Sequence, residues 1–203
     1  NAFVRETFNF FGTILQGQKE LKPRWKRILD QEENYMGDML GQLFVKNYYS
    51  EKTKERYEKL VDNMLESYRE HIQALDWMTD STKQKALLKL SKIGKKVGYP
   101  EKWKDYSSLE ITDTSYFQNV VNCLRWSFNQ NISKLNKPVD RNEWVMTPQT
   151  WNAYYSASNN EIVLPAAIFF IPGYEDDEID DAVVYGYAAP STIGHELVHA
   201  FDD

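Results

Sequence analysis

From the start of the chain to about Leu135, apolar residues recur at spacings of three and four, which restricts this region to amphipathic helices packed on one another. One stripe runs Trp25, Ile28, Leu29, Tyr35, Met36, Met39, Leu40 and Leu43. A second runs Tyr57, Leu60, Val61, Met64, Leu65, Tyr68, Ile72 and Leu75, with Ser50 placed to cap the helix that carries it. A shorter helix through Ala86, Leu87, Leu90 and Ile93 is expected to start near Asp80 or Ser81. Gly94, Gly98 and Pro100 punctuate its end. Phe117, Val120, Val121, Leu124, Phe128, Ile132 and Leu135 form a fourth stripe, broken by Asn136, Pro138 and Asp140. All four stripes read as faces turned toward a core.

After Asn142 the pattern changes. Trp144 to Met146, Trp151 to Tyr155 and Glu161 to Leu164 are short, aromatic and β-branched, and read as strands. The Ser- and Asn-rich stretch from Ser156 to Asn160 is a turn, so the last two strands are expected to pair as a hairpin. The fold class is therefore α+β, mainly α, with a helical region over residues 1–140 and a mixed region over 141–203. Glu175, Asp176, Asp177, Glu178, Asp180 and Asp181 crowd one loop and by themselves equal the formal net charge of -6. Without the spacing or central glycine of a calcium loop, they read as a solvated acidic loop.

Composition excludes several functions. With 24 basic against 30 acidic residues, the chain lacks the positive excess that neutralises phosphates, so no nucleic-acid partner is expected. Its longest apolar run, Val163 to Pro172, is far short of the roughly 20 residues that span a bilayer. A lone cysteine, Cys123, can form neither an internal disulfide nor a thiolate metal site, and reads as a packed small residue. Any metal must be held by imidazole and carboxylate. His71, between Glu70 and Ile72, reads as part of a solvated helix face, and the Asn131-Ile132-Ser133 sequon is discounted within a helix. The chain opens at Asn1 without Met and closes at Asp203 inside a helical pattern, so a longer parent is expected and the compartment stays open.

One pattern demands a chemical explanation: His195-Glu196-Leu197-Val198-His199. Residues four apart on a helix share a face, so the two imidazoles can bind one metal ion. Neutral imidazoles without thiolates suit Zn2+, and a catalytic zinc keeps one position for a water whose pKa it lowers to about 7. Glu196 is placed to accept that water's proton and return it to a leaving amine. Ile193, Leu197, Ala200 and Phe201 form an apolar opposite face, and Pro190 with Ser191 offers a helix start. Protonated imidazoles do not ligate, so acidification is expected to release the metal.

The stretch Ile193 to Asp203 resembles the zinc helix of the neprilysin family of metallopeptidases, with Ala200 where the usual form has glycine. Asn152-Ala153-Tyr154-Tyr155 resembles the same family's Asn-Ala-Tyr/Phe-Tyr strand, and Asn159, Ile162, Val163, Pro165, Ala166 and Ile168 follow in the expected order. Trp77-Met78, Gly98-Tyr99-Pro100 and Glu143-Trp144 also fit. Tyr174 to Val184, with Ala189, Pro190 and Ser191, departs from a glycine-rich approach to the zinc helix.

This resemblance implies a zinc endopeptidase acting on oligopeptides inside a largely helical chamber, with residues 141–203 forming the N-terminal part of a thermolysin-like catalytic domain. It carries over His195 and His199 as zinc ligands and Glu196 as general base. Asn152 and Ala153 carry over as the groups that bind the substrate backbone, which an open strand edge can do for any extended peptide. Asp202, three residues beyond His199, is a candidate to orient an imidazole, or else an exposed helix-end acid. The third ligand, a Glu, and an oxyanion-stabilising His are expected beyond Asp203, so the chain alone is not a competent enzyme. A secreted, periplasmic or membrane-anchored exterior is favoured over the cytoplasm, and the lone cysteine favours a bacterial relative. The rival reading is a peptide-binding or scaffold module of the same fold that has lost catalysis; the intact Glu196 speaks against it.

Overall fold

The computed structural model describes residues 2–202 of the chain. Two compact units divide it, Asn1–Gly37 and Asp38–Asp203. The first holds α1 (Ala2–Thr7), a π-helical turn (Phe8–Ile14) and the opening of α2 (Arg24–Tyr48), whose backbone leaves helical geometry at Met36 (φ -137°, ψ 28°). In this unit the first stripe does not behave as expected: Trp25 and Leu29 are exposed. Met39 and Leu43, its continuation in the second unit, are exposed as well.

The second unit is organised around α3 (Glu51–Ala74) and a small sheet. Ser50 caps α3 as expected: its backbone is extended (φ -80°, ψ 161°) and its hydroxyl accepts the Thr53 N–H at 3.0 Å, satisfying one of the otherwise unpaired first-turn donors. Tyr57, Leu60, Val61 and Ile72 of its stripe are buried. Helix α4 (Asp80–Leu90) starts where its sequence indicates, with Thr79 as its cap.

Past α4 the structure departs from expectation. Gly94–Gly98 is a strand, β1, not merely the punctuation that ends a helix. It pairs in parallel with β3 (Glu161–Pro165), and β3 pairs antiparallel with β2 (Tyr154–Ser156), giving the order β1-β3-β2. The expected hairpin is present, but its first strand is Tyr154–Ser156 and not Trp151 to Tyr155, which leaves Asn152 and Ala153 ahead of it; Asn160 takes the left-handed conformation (φ 52°) that the turn requires. All five residues of the central β3 are buried, as befits a strand covered on both faces. The expected strand at Trp144 to Met146 is absent: Trp144 is buried but Val145 is 83% exposed. The Val145 N–H donates to the Tyr154 hydroxyl at 3.3 Å, so a side chain takes the backbone group that a ladder would have used.

Helix α5 (Tyr116–Ile132) carries the fourth stripe, and the stripe faces outward. Phe117, Leu124, Phe128 and Ile132 are exposed, whereas Cys123 is buried and the Trp126 indole stacks on Tyr106 at 4.4 Å. Hydrogen bonds from the Asn119 and Asn122 side chains to the Thr112 and Glu110 carbonyls moor the helix. The acidic loop is more than solvated. Arg56 donates to Asp181 Oδ1 at 2.9 and 2.6 Å and to the Asp176 and Ile179 carbonyls at 2.6 Å. The core joins Tyr57, Leu60 and Val61 of α3 to Ile162 and Leu164 of β3, and to Ile193 and Leu197 near the C-terminus. Among the described residues no helix is long and apolar enough to cross a membrane.

Candidate metal centre

The two histidines arrive on a helical run longer than their own turn. Helix α6 (Asp181–Ala188) continues through a π segment (Ala189–Gly194) into α7 (His195–Val198) without a break. Pro190 and Ser191 therefore do not start the helix, contrary to expectation. Pro190 lacks an N–H, and in a regular α-helix its ring would meet the carbonyl of Gly186, four residues back; widening the coil to π geometry relieves both problems. Ser191 follows the proline and donates its hydroxyl to the Tyr187 carbonyl. The motif's last residue, Asp203, and the Ala189 side chain lie outside what the structure describes.

Ile193, Leu197 and Ala200 are buried, so the expected apolar face is the one that meets the core. That orientation turns His195 and His199 the other way. Their Nε2 atoms lie 3.2 Å apart, with ring centroids 4.7 Å apart and planes at 84°. Two zinc–nitrogen bonds of about 2.0–2.1 Å meeting at a tetrahedral angle place their nitrogens about 3.3 Å apart, so this pair fits the bite of one zinc ion. His199 Nδ1 is 2.9 Å from Asp202 Oδ2, a contact that favours the tautomer whose Nε2 lone pair faces His195. Among the described residues no group of three or more His, Cys, Asp and Glu side chains forms a complete metal cage.

Glu196 sits between the two histidines in sequence and is buried, 9% exposed, an unusual place for a carboxylate that merely decorates a helix. Helix α7 packs against β2, the strand at the sheet's edge. Asn152 and Ala153 immediately precede β2, Asn152 exposed and Ala153 buried. The fold thus gathers His195, Glu196 and His199 on one turn, with Asp202 on the next, and sets them beside the strand that Asn152 and Ala153 lead into. His71 and Cys123 stay apart from it, His71 exposed on α3 and Cys123 buried under α5.

One residue near the site was read only as part of a core stripe. Tyr68 of α3 donates its hydroxyl to the carbonyl of Gly194 at 2.7 Å and stacks its ring on Phe201 at 6.4 Å. No local signal marks it, because its partners lie 126 and 133 positions away in sequence.

Comparison with known proteins gives a consistent picture. The chain is 47% identical to a zinc metalloprotease of Mycobacterium tuberculosis solved with an inhibitor, matching 100% of this chain and 30% of that one with a TM-score of 0.89. Endothelin-converting enzyme 1 of Bos taurus is 33% identical over 201 residues, 95% of this chain and 26% of the relative. Neprilysin-3 of Drosophila melanogaster is 30% identical over 207 residues, 98% of this chain and 26% of the relative. The chain therefore spans about a quarter of the length of these curated relatives. Two sequence models described as peptidase family M13 match in chain order, one over residues 1–100 and the other over residues 152–203. Motifs, fold and relatives agree, and this chain belongs to peptidase family M13, the neprilysin family.

Proposed function

We propose that the protein carrying this chain is a zinc-dependent endopeptidase acting on oligopeptides, with residues 141–203 opening its catalytic domain. The observation that carries this reading is the 3.2 Å separation of the His195 and His199 Nε2 atoms, which suits a shared zinc ion and places Glu196 on the same turn. Zinc held there supplies a Lewis acid that makes water ionisable near neutral pH. The rest of the chemistry belongs to the chain. His199 is oriented by Asp202, which accepts its Nδ1–H and so keeps the Nε2 lone pair available. Glu196 takes the proton from the attacking water and delivers it to the amine nitrogen as the peptide bond breaks. Asn152 and Ala153 bind the substrate's main chain beside β2, so register is set by backbone hydrogen bonds and not by side-chain identity. The third ligand comes from elsewhere in the full protein.

The test uses that full protein. One zinc per chain and hydrolysis of unstructured oligopeptides are expected, and Glu196→Gln should cut kcat by about 10²–10⁴-fold while zinc stays bound. Unchanged hydrolysis in Glu196→Gln would remove Glu196 from its role. Zinc binding without hydrolysis in the unsubstituted protein would favour a peptide-binding module, and a protein that takes up no zinc would end the proposal.

A further inference from the structure

Helix α7 is the last single turn of a longer helical run and follows a π segment, so the run's own hydrogen bonds hold it from the N-terminal side only. Burial of Ile193, Leu197 and Ala200 turns the two histidines away from the core, and the backbone on either side of the turn must also be held for the separation of their rings to stay fixed. Tyr68 meets the run on both sides of that turn: its hydroxyl holds the Gly194 carbonyl, one residue before His195, and its ring lies on Phe201, two residues after His199. The support is rigid, because Tyr68 lies on α3 between buried Leu60 and Val61 on one side and buried Ile72 on the other. Asp202 orients one imidazole from the front, whereas Tyr68 holds the backbone that carries both.

We infer that Tyr68 is a positioning residue for the metal centre, a clamp that fixes the backbone flanking His195 and His199 and so sets the separation of their two Nε2 atoms. It touches neither metal nor substrate and acts through Gly194 and Phe201. Burial raises the Tyr68 pKa above the ordinary tyrosine value, so the hydroxyl keeps the proton it donates to the Gly194 carbonyl. The inference rests on the zinc reading above and adds a residue that neither the two-histidine motif nor its acid supplies.

The test measures zinc affinity of the full protein by chelator competition, together with the visible spectrum of its cobalt-substituted form. Tyr68→Phe removes only the hydroxyl. It should raise the zinc Kd by about tenfold, shift the cobalt bands and lower kcat with KM little changed, the lower end of what losing a ligand-orienting partner costs. Phe201→Leu, which keeps the hydroxyl bond and removes the stack, should weaken zinc less. A Kd and cobalt spectrum identical to the unsubstituted protein in Tyr68→Phe would overturn the inference. If that variant does not fold, the same two readings on Phe201→Leu decide it. An unsubstituted protein that takes up no zinc would overturn the zinc reading itself, a result distinct from an unaltered variant.

Discussion

Helices α3 and α5 carry apolar stripes of the same helical rhythm, and the structure treats them in opposite ways. On α3, Tyr57, Leu60 and Val61 are all but fully enclosed, packed with β3 and the residues flanking the two histidines. On α5, Phe117 is 74% exposed and Phe128 63%, and the helix instead rests on Cys123 and Trp126. Periodicity states that a face is apolar; it does not state what lies against it. In this molecule the α3 face packs against the turn that carries His195 and His199, whereas the α5 stripe contributes nothing to the core formed by the described residues.

Substitutions on the two helices should separate them most. Leu60→Ala is expected to destabilise the fold by about 2–5 kcal/mol, the usual cost of a cavity at a fully buried leucine, read as a shift in the urea midpoint. Gly98→Ala should follow at about 1–3 kcal/mol: Gly98 has φ 79°, and a Cβ there would stand 2.6 Å from the Tyr49 ring, so both backbone and packing resist it.

Alkaline pH should break the α3 side gradually. Burial is the main reason that Tyr49 and Tyr57 have pKa values raised well above 10, with the negative charge of neighbouring groups adding to it. A group raised in the folded state contributes stability that is complete below its unfolded pKa and is lost as pH climbs past it. Stability should therefore begin to fall above about pH 10, with tyrosinate absorbance from these two rings rising only as far-ultraviolet circular dichroism is lost. Separate ionisation before unfolding would show that the α3 core is wetter than described. The smallest effect is expected on the other helix: Phe128→Ser should change stability by no more than about 0.5 kcal/mol. A loss of several kcal/mol in the full protein would show that the α5 face is covered there, and the contrast between the two helices would then be one of partners.

Much of this was legible in the residues. Ser50 as a cap, the α3 face, the start of α4 and the hairpin between β2 and β3 follow from local rules of hydrogen bonding and periodicity, and all are present. The His195 and His199 pairing was legible for the same reason, since four residues is one helical turn. Strand β1 was not, because Gly-Lys-Lys-Val-Gly has one apolar side chain and two glycines, and only the neighbouring edge of β3 makes it a strand. Trp144 to Met146 failed for the converse reason: good strand residues whose backbone is held by a side chain, the Val145 N–H donating to the Tyr154 hydroxyl. Pro190 looked like a beginning and proved to be a π bulge within a longer helix.

Local residue patterns fixed helices α3, α4 and α5, the hairpin turn, and the placing of two imidazoles and a carboxylate on one turn, because each depends on residues a few positions apart. Tertiary structure decided which apolar faces are covered, which strands find partners, and how Tyr68 reaches across from α3 to hold that turn. Those choices depend on which surfaces meet in space, and side-chain periodicity along one segment carries no information about the segment it will meet.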